Sequence, residues 1–332
     1  MFEILSGNGV TVRKNVSSVV DPQKLNGNEL SFITHGHSDH VNVHKSSDSE
    51  YILTPETFSL IENHFTEKNK VRKLNLNKKI ELDDYSFELR NAGHILGSAQ
   101  VLFESSQRVV VSGDLKLQDS ILFKGAEIVE SDVLIIESTF GLPEFVFPER
   151  EIVYEEIGNF VKENVKKKNF VVLGGYSLGK AQELNKIVNE YAGEVPLVYE
   201  KVFEFNEVYK KHGIDLGEYI KLDHNLNEGN VLIMPPHLLD GQLLSYLNHL
   251  TKKSVVSGIA SGWNRAGMHK SFLLSDHADF NQLMEYIQLS GPKMVLTYHG
   301  FEKELANFIS RRLNIPAKPL SKNFQKNLLE YA

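Results

Sequence analysis

Thr34-His35-Gly36-His37-Ser38-Asp39-His40 places three histidines and an aspartate within six residues, directly after the apolar run Leu30 to Ile33. Imidazole nitrogen and carboxylate oxygen are ordinary zinc ligands. In an extended segment His35 and His37 point to the same side, so both reach one metal. Asp39 and His40 follow a bend and are placed to face a second. A single tetrahedral ion has no use for all four together with partners from elsewhere, so the run predicts two metals.

Working outward, strand after strand ends in one candidate ligand. The apolar pair Val19-Val20 closes on Asp21-Pro22, where Asp21 is either a turn former or a residue that orients metal ligands. Tyr85, Phe87 and Leu89 alternate as a strand that leads to Ala92-Gly93-His94. Val101 to Phe103 and Val109 to Val111 flank Ser105-Ser106-Gln107 as a hairpin, and the second of them ends at Ser112-Gly113-Asp114. Val133 to Ile136 closes on Glu137-Ser138-Thr139, and Met294 to Thr297 on Tyr298-His299-Gly300. The ligand candidates are therefore His35, His37, Asp39, His40, His94, Asp114 and His299. They suit two zinc ions sharing one bridging carboxylate, about 3.5 to 4 Å apart, a spacing that clamps the attacking and leaving oxygens of an in-line displacement and lowers the pKa of a bridging water. Sites of His and Asp also accept manganese or iron. His64, His212, His224 and His249 stand alone and are read as structural or solvated.

Between these parts, Thr54-Pro55-Glu56 is a helix start with a hydroxyl cap, proline in the first turn and an acid behind it. From Pro148 the texture becomes βαβα. A helical stripe of Ile152, Val153, Ile157, Phe160, Val161 and Val165 precedes a strand at Phe170 to Leu173, and a further helix stops at Gly193. That strand runs into Gly174-Gly175-Tyr176-Ser177-Leu178-Gly179-Lys180-Ala181, which lacks the Ser or Thr hydroxyl of an ATP loop. A glycine turn, a helix N-terminus and Lys180 predict a grip on a backbone phosphate, with Gly179 and Lys180 as substrate-binding residues and Ser275 beside them. Tyr176 and Trp263 are each read either as a platform for a base or as core.

The totals bound the reading. Length allows one large core or two modest ones. A formal net charge of -7 is not the footprint of a protein that coats nucleic acid, although two zinc ions would add four positive charges locally. The absence of cysteine excludes disulfides and thiolate zinc sites. With no apolar leader and no run long enough to span a bilayer, a cytoplasmic location away from the membrane is expected.

The run at 35 to 40, His94 in Ala-Gly-His, Asp114 in Ser-Gly-Asp and His299 before Gly300 resemble, in order, the metal motifs of the metallo-β-lactamase fold family. The resemblance implies an αββα sandwich, with His35, His37 and His94 on one zinc, Asp39, His40 and His299 on the other, Asp114 bridging, and Asp21 buttressing the histidine loop. Glu137-Ser138-Thr139-Phe140-Gly141, Ser275-Asp276-His277-Ala278-Asp279 and Tyr298-His299-Gly300 resemble the three further motifs of the β-CASP nucleases, which carry a smaller inserted α/β domain. The expected organisation is a first part over 1–147, the insert over 148–256 and a second part over 257–332. Asp39, Glu137 and His277 are then the catalytic candidates. His277 is the natural acid for the departing oxygen, held and made more basic by Glu137.

Longer stretches, among them Ala92-Gly93-His94-Ile95-Leu96-Gly97-Ser98-Ala99-Gln100-Val101 and Leu178-Gly179-Lys180-Ala181-Gln182, are similar to the ligase-associated DNA exonucleases and, less closely, to RNA 3′-end processing nucleases. This implies a nucleic-acid substrate, DNA ahead of RNA, and the company of a DNA ligase or other repair proteins. His299 does not choose between them, because the RNA-cleaving branch and the ligase-associated group both carry histidine there. A small-molecule metallohydrolase leaves Glu137, His277 and the insert unexplained. A non-catalytic partner subunit of the β-CASP kind fits poorly with a full ligand set.

Overall fold

The structure is a computed structural model, and it describes residues 2–7, 9–23, 29–43, 49–223, 226–263 and 267–320. The chain forms two compact units, one of residues 1–118, 125–146 and 277–332, the other of 119–124 and 147–276.

The first unit holds two sheets. One runs in chain order through β1 (Glu3–Ser6), β2 (Val10–Arg13), β3 (Ser17–Val20), β4 (Leu30–Phe32), β5 (Glu50–Leu53) and β6 (Lys70–Lys73). It is antiparallel as far as β3 and parallel from there on. The other is built from β7 (Ile80–Glu81), β8 (Ser86–Asn91), β9 (Ala99–Glu104), β10 (Arg108–Val111) and β11 (Val133–Ser138), joined beyond β11 by two further strands, Met294–Gly300 and Ala317–Pro319. The period-two pattern sorts its side chains. Val109, Val111, Val133, Ile135 and Leu296 meet Val10, Val20, Phe32 and Ile52 of the first sheet in one core. Phe32 packs edge-on against Phe87 and Phe103, with ring centroids 5.0 and 5.3 Å apart, a favoured aromatic geometry.

The alternate residues Val110, Leu134, Ile136 and Val295 face outward onto two helices, Phe280–Ser290 and Glu302–Leu313, through Leu283, Ile287, Leu305 and Ile309. Helix α1 (Pro55–Ile61) starts as its sequence dictates, with Thr54 Oγ1 accepting from the Thr57 amide. Helix, two sheets and helices make the αββα sandwich of the metallo-β-lactamase fold.

The second unit is one parallel sheet. Its strands are β12 (Phe170–Gly174), β13 (Leu197–Val198), β14 (Ile220–Lys221), β15 (Val231–Met234), β16 (Val255–Ser261) and β17 (Lys270–Leu273), in the spatial order β14-β13-β15-β12-β16-β17. Helices α2 (Arg150–Lys166) and α3 (Lys180–Ile187) cover one face through Val153, Ile157, Val161, Leu184 and Ile187. The helix at Gly241–Thr251 and Leu239 cover the other. Two details differ from the sequence reading. Ile152 is exposed, since the buried stripe of α2 is narrower than its apolar content. And β17 pairs with β16, which carries this unit past residue 256 to Asp276.

Candidate metal centre

In the first unit the site is built at one edge of both sheets, because strands that run the same way end on the same side. Asp21 follows β3 and His35 follows β4; His94, Asp114, Glu137 and His299 follow or end β8, β10, β11 and Met294–Gly300. Two local devices shape the loops. Asp21 itself sits at φ +48° and accepts from the Thr34 amide at 2.8 Å, from Thr34 Oγ1 at 2.7 Å and from His40 Nδ1 at 2.8 Å. Gly93 has φ +70°, and a Cβ there would lie 2.4 Å from the Ala126 nitrogen, so only glycine carries the chain into His94. Ser98 Oγ then accepts from the His94 and Ile95 amides, and Thr54 and Thr57 both donate to the Gly97 carbonyl.

One carboxylate oxygen lies at the centre. Oδ2 of Asp114 is 3.4 Å from His35 Nε2, 3.5 Å from His40 Nε2, 3.6 Å from His94 Nε2 and 3.8 Å from His277 Nε2. These separations are long for hydrogen bonds. The three to His35, His40 and His94 lie close to the roughly 3.3 Å between two ligands each about 2.0–2.1 Å from a tetrahedral zinc. Three overlapping groups offer ligand atoms within 4.8 Å of one another: His35, His37, His94 and Asp114; His40, Asp114 and His299; Asp114, Glu137 and His277.

The donor chemistry fits cations. His35 Nε2 is buried without a hydrogen bond, while its Nδ1 is paired with Thr34 Oγ1 at 3.0 Å. Burial, together with His40, His94, His37 and His277, holds His35 well below the ordinary histidine range, so it is a neutral imidazole with a lone pair to give. Burial pushes the Asp114 carboxyl up against the pull of His40 and His277, as for a carboxylate short of positive charge. Burial would lower His40, but Asp114, Asp21 and Asp39 outweigh it and hold it up at about 10.

Beside this cluster, His277 Nδ1 lies 3.0 Å from both oxygens of Glu137. Glu137 also accepts from the Leu115 amide at 2.6 Å and from the Thr139 hydroxyl. Burial alone would raise its pKa; the His277 imidazole and these donors outweigh it and keep it below the usual carboxylate range.

Of the expected ligands the structure gathers His35, His37, His40, His94, Asp114 and His299. Asp39 stands at the margin, its side chain 77% exposed and its carboxylate 3.7 Å from His40 Nε2. Thr34, which the sequence reading passed over, ties Asp21 to His35; a hydroxyl directly before the first histidine was its only signal.

The phosphate grip expected of Gly179, Lys180 and Ser275 is corrected, all within the second unit. Lys180 is 2% exposed and its ammonium is bonded to Asp276 Oδ1 at 2.7 Å. The Gly179 amide, at the start of α3, is taken by Gln182 Oε1 at 2.7 Å. Ser275 is buried and its carbonyl accepts from Arg150. A lysine behind a glycine turn reads the same from sequence whether it faces a ligand or an internal carboxylate. Tyr176 and Trp263 are both partly exposed rather than core. His224 lies outside the described residues.

No family model matches the chain. A protein named probable DNA ligase from Opitutus terrae is 31% identical over 294 residues, which cover 85% of this chain and 28% of that protein. The probable RNase MJ4 of Methanocaldococcus jannaschii is 25% identical over 378 residues, covering 90% of this chain and 88% of that protein. The chain resembles the β-CASP metallo-β-lactamase nucleases. It spans less than a third of the length of the Opitutus relative, and its β-CASP relatives carry names from both DNA and RNA processing. A crystal structure of a protein of unknown function from Enterococcus faecalis V583 shares the fold, with a TM-score of 0.58 at 14% identity over 90% of this chain and 93% of that one.

Proposed function

We propose that this protein is a metal-dependent nuclease of the β-CASP kind that hydrolyses phosphodiester bonds, acting on DNA as an exonuclease. The observation that carries the reading is the His277–Glu137 pair set against the histidine and aspartate cluster. His35, His37 and His94 would hold one ion, His40, His299 and Asp39 the other, and Asp114 would be shared. Two zinc ions bound there supply positive charge opposite the phosphodiester and lower the pKa of a water.

The chain's own residues do the rest. Asp21 and Thr34 fix the rings of His40 and His35 so that each Nε2 faces Asp114. Glu137 accepts the hydrogen bond from Nδ1–H of His277, which leaves Nε2 as the atom that carries a proton to the departing oxygen. Among the described residues no helix is long and apolar enough to cross a membrane.

DNA is placed first because of the relative named probable DNA ligase, whose name also supports the company of a ligase; RNA processing is the second reading, supported by the RNase-named relative that aligns over most of its own length. The test is cleavage of matched DNA and RNA oligonucleotides labelled at either end, with metal content measured on the same protein. His277→Ala is expected to lose about 10²- to 10⁴-fold in kcat. Two bound zincs with no cleavage of any oligonucleotide would refute the nuclease reading.

A further inference from the structure

The chemistry above makes no use of a second set of buried polar groups, all in the second unit. Arg150 Nη1 donates to the Ser275 carbonyl at 2.6 Å, its Nη2 donates to both oxygens of Glu183, and its Nε donates to the Tyr154 hydroxyl at 3.0 Å. The Tyr154 hydroxyl in turn donates to Glu183 at 2.5 Å. Lys180 Nζ donates to Asp276 Oδ1 at 2.7 Å and lies 3.4 Å from Glu183 Oε2. Arg150, Lys180 and Glu183 are buried, as is Tyr154.

Two cations thus face two carboxylates. Taking such ions out of water costs several kcal/mol each before their attraction is counted, and an apolar set of the same volume is often as stable. Stability alone therefore does not account for the network, and its geometry points elsewhere. Arg150 stands in the first turn of α2 and Lys180 in the first turn of α3. Outside those two helices, the groups they hold are the Ser275 carbonyl and the Asp276 carboxylate. The next residue in the chain is His277.

We propose that Arg150 and Lys180 are positioning residues for His277, clamping the chain at the two residues from which its imidazole is carried. The bonds from Glu137 hold the tip of that side chain, and the clamp holds the two residues that precede it in the chain. The proposal rests on the reading of His277 as the proton donor to the departing oxygen.

The test uses the metal-loaded full chain and a labelled single-stranded oligonucleotide. Lys180→Met removes one clamp; Arg150→Lys keeps the charge but loses the fork that reaches Ser275, Glu183 and Tyr154 together. Each variant is made in the wild-type and the His277→Ala background, with thermal midpoints recorded. The expected result is a fall in kcat of about 10²-fold for Lys180→Met, the order that a misplacement of about 1 Å costs, with KM unchanged. In the His277→Ala background the same substitution should cost nothing further. An equal loss in both backgrounds, or unchanged kcat in folded variants, would overturn the proposal.

If His277→Ala cleaves as well as wild type, or wild type does not cleave, it is the functional reading that fails. The His277 imidazole resonance, identified by its disappearance in His277→Ala, then decides the positioning role by itself. A displaced resonance in Arg150→Lys supports the clamp, and an unmoved one overturns it.

Discussion

Replacing Asp21 with asparagine should weaken one metal site while leaving the fold in place, and the reason can be worked atom by atom. Asp21 holds a left-handed backbone at φ +48°, which asparagine also tolerates. Its Oδ1 accepts from the Thr34 amide at 2.8 Å, and an asparagine Oδ1 does the same. At the position of Oδ2, however, the new residue carries an NH₂. The Thr34 hydroxyl can turn and accept from it, but His40 Nδ1 sits 2.8 Å away and donates there in the native chain. Two donors cannot face each other, so the neutral His40 that a metal needs is driven to carry its hydrogen on Nε2, the atom that looks toward Asp114 and would ligate the metal. The hydrogen bond lost is one to a charged group, about 1.5–3 kcal/mol. An orienting partner of a metal ligand is worth about 10- to 100-fold in affinity, or about 1.4–2.7 kcal/mol, so two independent routes agree. Calorimetric titration of zinc into chelator-stripped protein reads it out, with one of two binding steps falling by that factor and the other holding. Unchanged affinity in both steps, with a thermal midpoint equal to wild type, would refute the tautomer argument.

Other outcomes follow from single features. Gly93→Ala should cost several kcal/mol and lower the thermal midpoint by about five to ten degrees, because its Cβ would lie within 2.6 Å of backbone atoms of Lys116, Gly125 and Ala126. Gly193→Ala has nearly the same φ, +69°, with nothing within 4 Å, and should cost only the left-handed penalty of about 1–2 kcal/mol; equal losses would show that crowding at Gly93 is absent. In metal-free protein the folded pKa of His40, about 10, stands above its unfolded value of about 6.5. Its contribution is therefore complete below pH 6.5 and fades as pH rises to 10, by at most about 1.4 kcal/mol per unit of elevation. Urea midpoints at pH 6.5, 8 and 10 should fall for stripped protein and stay level with zinc bound; a level profile for stripped protein would contradict the ion pair with Asp21 and Asp114.

Much of the site was legible because its signal is local. Ligand types clustered at strand ends announce themselves in one dimension, and Glu137 with His277 could be matched to motifs of the family. What escaped was direction. Lys180 sits at a helix start behind glycines, a pattern that fits a ligand-facing lysine, and only tertiary packing decides that it turns inward to Asp276. Ile152 has the right periodicity for burial, yet the width of the stripe that α2 can bury is set by its neighbours. Strand β17 is short and begins with an exposed lysine, so its pairing with β16 depends on a partner the local pattern does not name. Asp39 belongs to the densest ligand run in the chain, and the bend after His37 is what leaves its carboxylate exposed.

The order of the chain has a consequence for its birth on the ribosome. Strand β11 takes its parallel neighbour from Met294–Gly300, and residues 147–276 are translated between the two. At roughly 5–20 residues per second, β11 waits on the order of ten seconds with one edge unpaired. In that interval His35, His37, His94 and Asp114 are already made, while His277 and His299 are not. A nascent chain can therefore hold one complete ligand group before its proton donor exists, and an exposed strand edge that is apolar from Val133 to Ile136 is where a holdase chaperone would find it.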